Sequence, residues 1–221
     1  MKRNKIILII LGVILLFGFL NLIYYLSSKP GTEKVFESTK SVTKQDHIKW
    51  SSNKKIILTE YSDFQCPACK LWSDFFSELK KLGNKDYKKI EENVTFVYRN
   101  FPLQTLHKNA LFASYAAEAA GAQNKFFEMH DLLYKNQLKW AEIKDPMSYF
   151  VKLADELKLD TEIFKKDIDS KAVKQKVDGD ILSGEQAQVS ATPSFFLNGK
   201  YLSNLKTTND LIKILLEEIK K

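Results

Sequence analysis

A pair of cysteines three positions apart constrains this chain more than any other sequence feature. Cys66 and Cys69 are the only cysteines in 221 residues, and they lie between an apolar run and a helical pattern. Pro67 follows Cys66 where a helix would take its first residue, because its φ is already helical and its missing N–H costs no hydrogen bond there. We therefore predict that Cys66 caps the helix, where unpaired N–H groups and the positive end of the helix dipole favour a thiolate over a thiol.

The two cysteines suit redox chemistry better than a structural role. Sulfurs at i and i+3 can close into a disulfide, but so short a loop adds little stability to a fold. Two cysteines cannot supply the four ligands of a structural zinc site, and the three histidines lie at no metal-ligand spacing. A redox-active Cys-x-x-Cys is the interpretation that remains, and no metal is predicted.

The net charge of +7 does not indicate a nucleic-acid-binding protein. Lys2, Arg3 and Lys5 supply three of these charges before any acidic residue, which leaves +4 for the rest of the chain. Acidic and basic residues then interleave, with no basic stripe. We predict a solvated, lysine-rich surface and no nucleic-acid partner.

The N-terminal segment is typical of a membrane anchor. Ile6 to Leu26 is an apolar run of 21 residues, which as a helix would span about 31 Å, close to the thickness of a bilayer core. The positive charges before it place the N-terminus in the cytoplasm, and no small-residue cleavage site follows. We predict an anchor over residues 1–28 and a polar tether over residues 29–50. A cleaved signal peptide is the alternative, and either one places the following domain outside the cytoplasm.

The remaining chain predicts an α/β domain over residues 51–221. Continuous apolar runs indicate buried strands, and apolar residues at helical spacing indicate helices. Asn198-Gly199 marks a hairpin, and Thr207 with Asp210 marks a helix start. The predicted order is strand Lys54–Glu60, helix Cys66–Leu82, strand Val94–Tyr98, a helical block over 103–188, strands at 194–197 and 201–202, and a final helix.

At this point the sequence resembles the DsbA-like thiol:disulfide oxidoreductases, which are thioredoxin folds interrupted by a helical domain. The resemblance runs from about Asp46 to the C-terminus, and it depends on the order and spacing of several motifs together. These motifs are Glu60-Tyr61-Ser62-Asp63-Phe64-Gln65-Cys66-Pro67-Ala68-Cys69, Arg99-Asn100-Phe101-Pro102-Leu103 with His107, Ala116-Ala117-Glu118-Ala119-Ala120, Phe126-Phe127-Glu128-Met129-His130-Asp131, and Ala191-Thr192-Pro193-Ser194-Phe195-Phe196-Leu197-Asn198-Gly199.

The resemblance implies roles for both cysteines and for one acid. Cys66 would be the nucleophile and Cys69 its resolving partner. Glu60 falls where the family keeps a buried acid beneath the cysteines, and a carboxyl there could exchange a proton with Cys69 as a proton relay. The other interpretation of Glu60 is a surface strand residue.

The resemblance also implies a substrate-binding surface. Thr192-Pro193 would face the disulfide with a cis peptide bond, and its backbone would pair with a substrate strand beside Pro67 and Ala68. Ala191 stands where the family often has glycine, and Ala68 stands where the best-known oxidases have histidine. Because Ala68 cannot help to hold the thiolate, we expect the helix N-terminus to do most of this.

Other prominent side chains are interpreted as structural. We expect Asp63 to be a turn or cap residue, and His107 and His130 to be hydrogen-bonded structural histidines. The pairs Phe75-Phe76 and Phe126-Phe127 are expected in the core, with a peptide groove as the alternative.

The function that the resemblance implies is disulfide formation in exported proteins. The redox-active pair would need no metal or organic cofactor, and a quinone-linked membrane protein of the DsbB or VKOR type would reoxidise it. No dimerisation segment is evident, so we expect a monomer. A reductase or isomerase with the same fold, and a non-catalytic peptide-binding module, are the alternatives left open.

Overall fold

The computed structural model describes residues 15–23 and 34–221. Residues 15–23 are helical and belong to one unit, Met1–Lys34, while Val35–Lys221 form a second, compact unit. More than half of the predicted membrane segment Ile6–Leu26 lies outside the described residues. Within the described ranges, no helix combines the length and hydropathy needed to cross a bilayer.

A five-stranded mixed sheet forms the centre of the second unit. Its strands are β1 (His47–Trp50), β2 (Ile56–Ser62), β3 (Val94–Asn100), β4 (Ser194–Leu197) and β5 (Lys200–Tyr201), in the spatial order β1-β3-β2-β4-β5. The central strand β2 runs parallel to β3 and antiparallel to β4, and the two outer pairings are antiparallel. This arrangement confirms the predicted α/β class.

Ten helices accompany the sheet within residues 34–221. They are α1 (Glu37–Lys40), α2 (Pro67–Lys81), α3 (Lys85–Asn93), α4 (Ala110–Ala122), α5 (Phe126–Lys135), α6 (Gln137–Trp140), α7 (Met147–Glu156), α8 (Thr161–Ile168), α9 (Lys171–Gln186) and α10 (Thr208–Ile219). The six helices α4 to α9 occupy the block between β3 and β4 that was predicted to be helical.

The two faces of β2 pack against different cores. Side chains alternate between the faces of a strand, so Leu58, Glu60 and Ser62 share one face and Tyr61 lies on the other. Leu58 belongs to the larger core, which also contains Cys69 of α2. Tyr61 belongs to a smaller core on the opposite face. Glu60 and Ser62 therefore point toward the face on which the cysteine-bearing helix packs.

Two local signals at the C-terminal end act as predicted. Asn198 and Gly199 have positive φ angles of 49° and 87° in the turn between β4 and β5, the conformation that favours Asn-Gly in tight hairpins. Thr207 and Asp210 form a capping box at α10, with Thr207 Oγ1 accepting from the Asp210 amide and Asp210 accepting from the Thr207 amide.

The folded unit begins earlier than predicted. We expected a polar tether over residues 29–50 and a domain from residue 51, but the compact unit begins at Val35. His47–Trp50 form β1, which pairs with β3. Asp46 makes a bidentate ion pair with Arg99 of β3 at 2.9 Å for each bond, and both side chains are only 2% exposed. Because this strand has only four residues and two of them are polar, its pairing was not evident in the sequence.

Candidate active site

The cysteine pair lies at the carboxyl end of β2, at the start of α2. Cys66 has extended φ and ψ angles of −71° and 123° as the N-cap of α2, and Pro67 is its first helical residue. The predicted geometry of the motif is confirmed. Pro67 and Ala68 are exposed, so both are available to a partner that approaches the sulfurs.

The two sulfurs differ in their exposure to solvent. Both cysteines are free thiols, and Cys66 is 8% exposed whereas Cys69 is 1% exposed. Cys66 Sγ donates to the Thr192 carbonyl oxygen at 3.3 Å. Cys69 Sγ accepts from the amide of Asp63 at 3.5 Å. Cys66 is therefore the sulfur that a substrate can reach.

The pKa of Cys66 is lowered to about 5. The largest cause is a hydrogen bond from the Cys69 side chain, and burial acts in the opposite direction. The backbone N–H of Cys69, the Thr192 hydroxyl and the backbone N–H of Ala68 lower the pKa further. The helix N-terminus was expected to supply most of this effect, but the neighbouring thiol supplies the largest part. The physical reason is that Cys69 stands one helical turn after Cys66, within hydrogen-bonding reach of its sulfur.

The pKa of Cys69 moves in the opposite direction, well above its ordinary value. Burial is the largest cause, followed by the hydrogen bond to Cys66 and by the negative charges of Cys66 and Glu60. The pair thus contains one sulfur that is stable as a thiolate and one that is stable as a thiol. This difference determines which sulfur is the better leaving group.

Thr192 and Pro193 stand beside Cys66, with a cis peptide bond between them. The Thr192 carbonyl contacts Cys66 Sγ, and Pro193 lines a groove of about 240 Å³ together with Trp72 and Phe195. Thr192 Oγ1 is buried and has no hydrogen-bond partner among the described residues while Cys66 is a thiol. Its hydroxyl can donate to the Cys66 thiolate, which explains its lowering of the Cys66 pKa.

Glu60 is buried beneath the cysteines and is not a surface strand residue. It is 5% exposed on β2, and burial raises its pKa to about 7, against a hydrogen bond from Ser62 that lowers it. Ser62 Oγ donates to Glu60 Oε1 at 2.6 Å. A carboxyl group with this pKa can both take and give a proton near neutral pH.

Asp63 organises the loop before the cysteines, beyond the turn or cap role predicted for it. Its fully buried carboxylate accepts from the amides of Gln65 at 2.7 Å and Leu103 at 2.8 Å, and it contacts His107 Nδ1 at 2.8 Å.

A glutamine of α6 also supports this loop. Gln137 Nε2 donates to the carbonyls of Phe64 and Cys66 at 2.8 and 3.0 Å. Gln137 was not predicted, because α6 has only four residues and no periodic signal.

The histidines and phenylalanines behave largely as predicted. His107 contacts Asp63, and the mostly buried His130 contacts Asp131 at 2.7 Å through its Nδ1. Phe76 and Phe126 are buried in the core. Phe75 and Phe127 are partly buried against it.

Comparisons with known proteins agree with this geometry. A thioredoxin family model matches residues 42–217. A probable disulfide bond formation protein D of Bacillus cereus is 32% identical over 168 residues, which cover 74% of each chain. The crystal structure of oxidised BdbD from Bacillus subtilis matches with a TM-score of 0.70 and 20% identity, covering 85% of this chain and 100% of that one.

Longer proteins also contain a similar segment. The Na(+)/H(+) antiporter NhaA 3 of Salinispora tropica is 32% identical over 158 residues, which are 71% of this chain and 22% of the antiporter. The chain thus spans about a fifth of the length of that relative. The family match and the Bacillus cereus relative together cover most of the folded unit, so the chain belongs to the thioredoxin family and, within it, to the DsbA-like thiol:disulfide oxidoreductases.

Proposed function

We propose that this protein is an extracytoplasmic oxidase that introduces disulfides into exported proteins through Cys66 and Cys69. The observation that carries the proposal is the contrast between the two sulfurs. The pKa of the more exposed Cys66 is lowered to about 5, while the pKa of the buried Cys69 is raised. A stable Cys66 thiolate favours the reduced protein over the disulfide, and a pair of this kind takes electrons from its substrates.

The proposed reaction proceeds in two thiol–disulfide exchanges. A substrate thiolate attacks Cys66 Sγ of the Cys66–Cys69 disulfide, a mixed disulfide forms, and Cys69 leaves with the electron pair. Because the pKa of Cys69 is raised, this sulfur needs a proton, which Glu60 can supply. A second substrate thiolate then attacks the substrate sulfur of the mixed disulfide and releases Cys66 as a thiolate. The substrate loses two electrons and gains a disulfide, and the enzyme is left reduced.

The surroundings of the proposed reaction follow from the sequence and the family resemblance. The apolar run Ile6–Leu26 would hold the domain on the outer side of the membrane. Substrate backbone would pair beside Thr192 and Pro193, with Pro67 and Ala68 exposed at the rim. A quinone-linked membrane protein of the DsbB or VKOR type would return the pair to the disulfide, and the reaction would use no other cofactor.

Oxidation of a reduced model protein tests this function. Full-length oxidised protein should convert the thiols of a reduced two-cysteine substrate to a disulfide, and Cys66→Ala should abolish the conversion. In Cys69→Ala, the Cys66 thiolate should still attack an activated substrate disulfide and displace its leaving thiolate, and the variant should then accumulate as the mixed disulfide. Oxidation at the wild-type rate by Cys66→Ala would rule out the mechanism. A wild-type protein that only reduces substrate disulfides would favour the reductase alternative.

A further inference from the structure

Ser62 lies between two groups that must exchange a proton in the proposed reaction. Glu60 and Ser62 are two residues apart on β2, so their side chains share one face of the strand. Ser62 Oγ donates to Glu60 Oε1 at 2.6 Å. Ser62 is fully buried and Glu60 is 5% exposed, so bulk water does not compete for this hydrogen bond.

The same hydroxyl adjoins the resolving sulfur. The amide of Asp63, the residue after Ser62, donates to Cys69 Sγ at 3.5 Å, which places this sulfur against the end of β2. Burial is the main cause of the raised pKa of Cys69, and a hydrogen bond from Ser62 partly offsets it. Ser62 thus bonds the carboxyl group directly, and its hydroxyl lies close enough to Cys69 to favour the thiolate form of that sulfur.

Tyr134 of α5 holds the Ser62 hydroxyl in place. The two hydroxyl oxygens are 2.9 Å apart, and Tyr134 also contacts the hydroxyl of Tyr98 on β3 at 3.2 Å. A serine hydroxyl has one donor and two acceptor positions. With Glu60 accepting its one proton and Tyr134 beside it, the Ser62 hydroxyl can turn that proton toward Cys69 when this sulfur becomes a thiolate.

A cavity that Cys66 does not line connects Glu60 to the surface. It has a volume of about 370 Å³, and its walls include the buried Glu60 and the exposed Lys80 and Glu128. A cavity of this size with charged side chains in its walls can hold several water molecules. Glu60 can therefore regain a proton from water after it has given one up.

We propose that the Ser62 hydroxyl carries the proton between Glu60 and Cys69 when the Cys66–Cys69 disulfide opens or closes. This rests on the proposed function. On opening, the S–S bond breaks and Cys69 takes the electron pair. The Ser62 proton moves to Cys69 Sγ while the Glu60 proton moves to Ser62 Oγ. Glu60 is left as a carboxylate, Cys69 as a thiol and Ser62 unchanged, and closing reverses each transfer.

The hydrogen bonds of the reduced protein fit the state after this transfer. Cys69 is a thiol, and Ser62 donates to Glu60 as it would to a carboxylate. Other titratable groups also face Glu60 from the neighbouring elements and contribute to its pH response. They are Lys49 of β1, Tyr87 of α3, Tyr98 of β3, the α5 residues His130, Asp131 and Tyr134, Cys66 at the N-cap of α2, and Cys69 within α2.

Single-turnover kinetics with the full-length protein test the relay. The oxidised protein is mixed with excess reduced two-cysteine peptide, and mixed-disulfide formation is followed as a function of pH. Ser62→Ala should slow this step at pH 7 by about ten-fold or more, because proton transfer to the leaving sulfur is lost. Ser62→Thr keeps a hydroxyl on the same atom position and should restore most of the rate. Ser114→Ala is the matched control, since Ser114 is fully buried in α4 and bonds only the Ala110 carbonyl.

A double variant separates a relay from a structural effect. If Ser62 acts through Glu60, adding Ser62→Ala to Glu60→Gln should slow the step no further, and the two single variants should lose the same limb of the pH profile. Equal rates and pH profiles for Ser62→Ala and wild type would overturn the relay, as would additive losses in the double variant. If Glu60→Gln slows the step while Ser62→Ala does not, only the relay through Ser62 is overturned, whereas full activity of Cys66→Ala would overturn the proposed function itself.

Discussion

At the scale of single residues, the proposed chemistry depends on the difference between the pKa values of the two cysteine thiols. The Cys69 thiol donates to Cys66 and stabilises its thiolate, and burial keeps Cys69 itself protonated. Ala68 contributes only its backbone N–H. The oxidising character that we propose for this site would therefore come from the second cysteine and the helix N-terminus together.

Substitutions of Cys69 test how much this cysteine and the helix N-terminus each lower the pKa of Cys66. Cys69→Ala removes the largest stabilising hydrogen bond, so the pKa of Cys66 should rise from about 5 toward the ordinary thiol value. Cys69→Ser keeps a hydroxyl that can donate to Cys66, so it should raise the pKa of Cys66 less than Cys69→Ala does. Titration of the thiolate absorbance near 240 nm in the full-length variants measures both values. Equal pKa values in Cys69→Ala and wild type would show that the helix N-terminus acts alone.

The sequence indicated the reacting residues but not the groups that support them. Cys66, Cys69 and Glu60 could be predicted because they lie within one motif of ten residues. Ser62 lies in the same motif, but its role could not be predicted, because its partner Tyr134 is 72 residues later in the sequence, on α5. No pattern in a single sequence specifies which helix side chain meets which strand hydroxyl. Asp63 was underestimated for the same reason, because its partner His107 comes from the loop after β3.

At the scale of elements, α9 packs closely against the smaller core. A Cβ added at Gly184 would lie 2.6 Å from Phe101 Cδ2 and 3.1 Å from Tyr61 Cδ1. Both are ring atoms in a fully packed cluster. Glycine thus allows this helix to approach the sheet.

Two alanine substitutions in α9 measure this packing. Gly184→Ala should destabilise the protein by about 1–3 kcal/mol, because the rings must shift to admit the methyl group. Gly179→Ala in the same helix meets no atom within 4 Å, and it should be neutral or stabilising by up to about 1 kcal/mol. Denaturant unfolding of both variants gives the comparison. A Gly184→Ala protein as stable as Gly179→Ala would show that the helix is loosely packed.

Long helices could be predicted from the sequence, and short polar elements could not. Helices α2 and α10 carry apolar residues at helical spacing and lie where they were predicted, and α4 to α9 lie within the predicted helical block. The nine-residue α3 was missed, since its buried side chains are only Tyr87 and Ile90. Its position is determined by contacts with β1, β3, α2 and α10, which are not visible along the chain.

At the scale of the whole folded unit, a buried ion pair attaches the N-terminal segment to the sheet. Arg99 bonds Asp46 in bidentate fashion, and it also donates to the carbonyls of Ser38 and Ser41. The positive charge of Arg99 thus has acceptors on three sides. Arg99 thus links three positions of the N-terminal segment, Ser38, Ser41 and Asp46, to a single strand of the sheet.

Loss of Arg99 should therefore be costly. Arg99→Ala leaves Asp46 buried without its partner, and the expected loss is about 3–5 kcal/mol in the free energy of unfolding. Lys165→Ala removes an exposed ion pair with Glu162 and should change stability by less than about 0.5 kcal/mol. If both variants unfold at the wild-type denaturant concentration, Arg99 does not hold the segment as described.

The stability of the reduced protein should depend on pH in a way that the oxidised protein does not share. The pKa of Cys66 is lower in the folded state, so its stabilisation is absent below about pH 5 and grows up to the unfolded thiol value of about 8.5. Above that value, ionisation of Cys69 in the unfolded chain reduces the difference again. Thermal unfolding of both redox states from pH 4 to 10 measures the difference in stability between the reduced and the oxidised protein. A difference that stays constant across this range would contradict the lowered pKa.

The reduction potential of Cys66–Cys69 tests the central claim most directly. A stabilised Cys66 thiolate favours the reduced state, so equilibration of the full-length protein with glutathione should give a potential above about −200 mV. Cys69→Ala cannot form the pair and serves as the blank for the signal. A potential near −270 mV, which is typical of a reducing thioredoxin, would contradict the account of this protein as an oxidase.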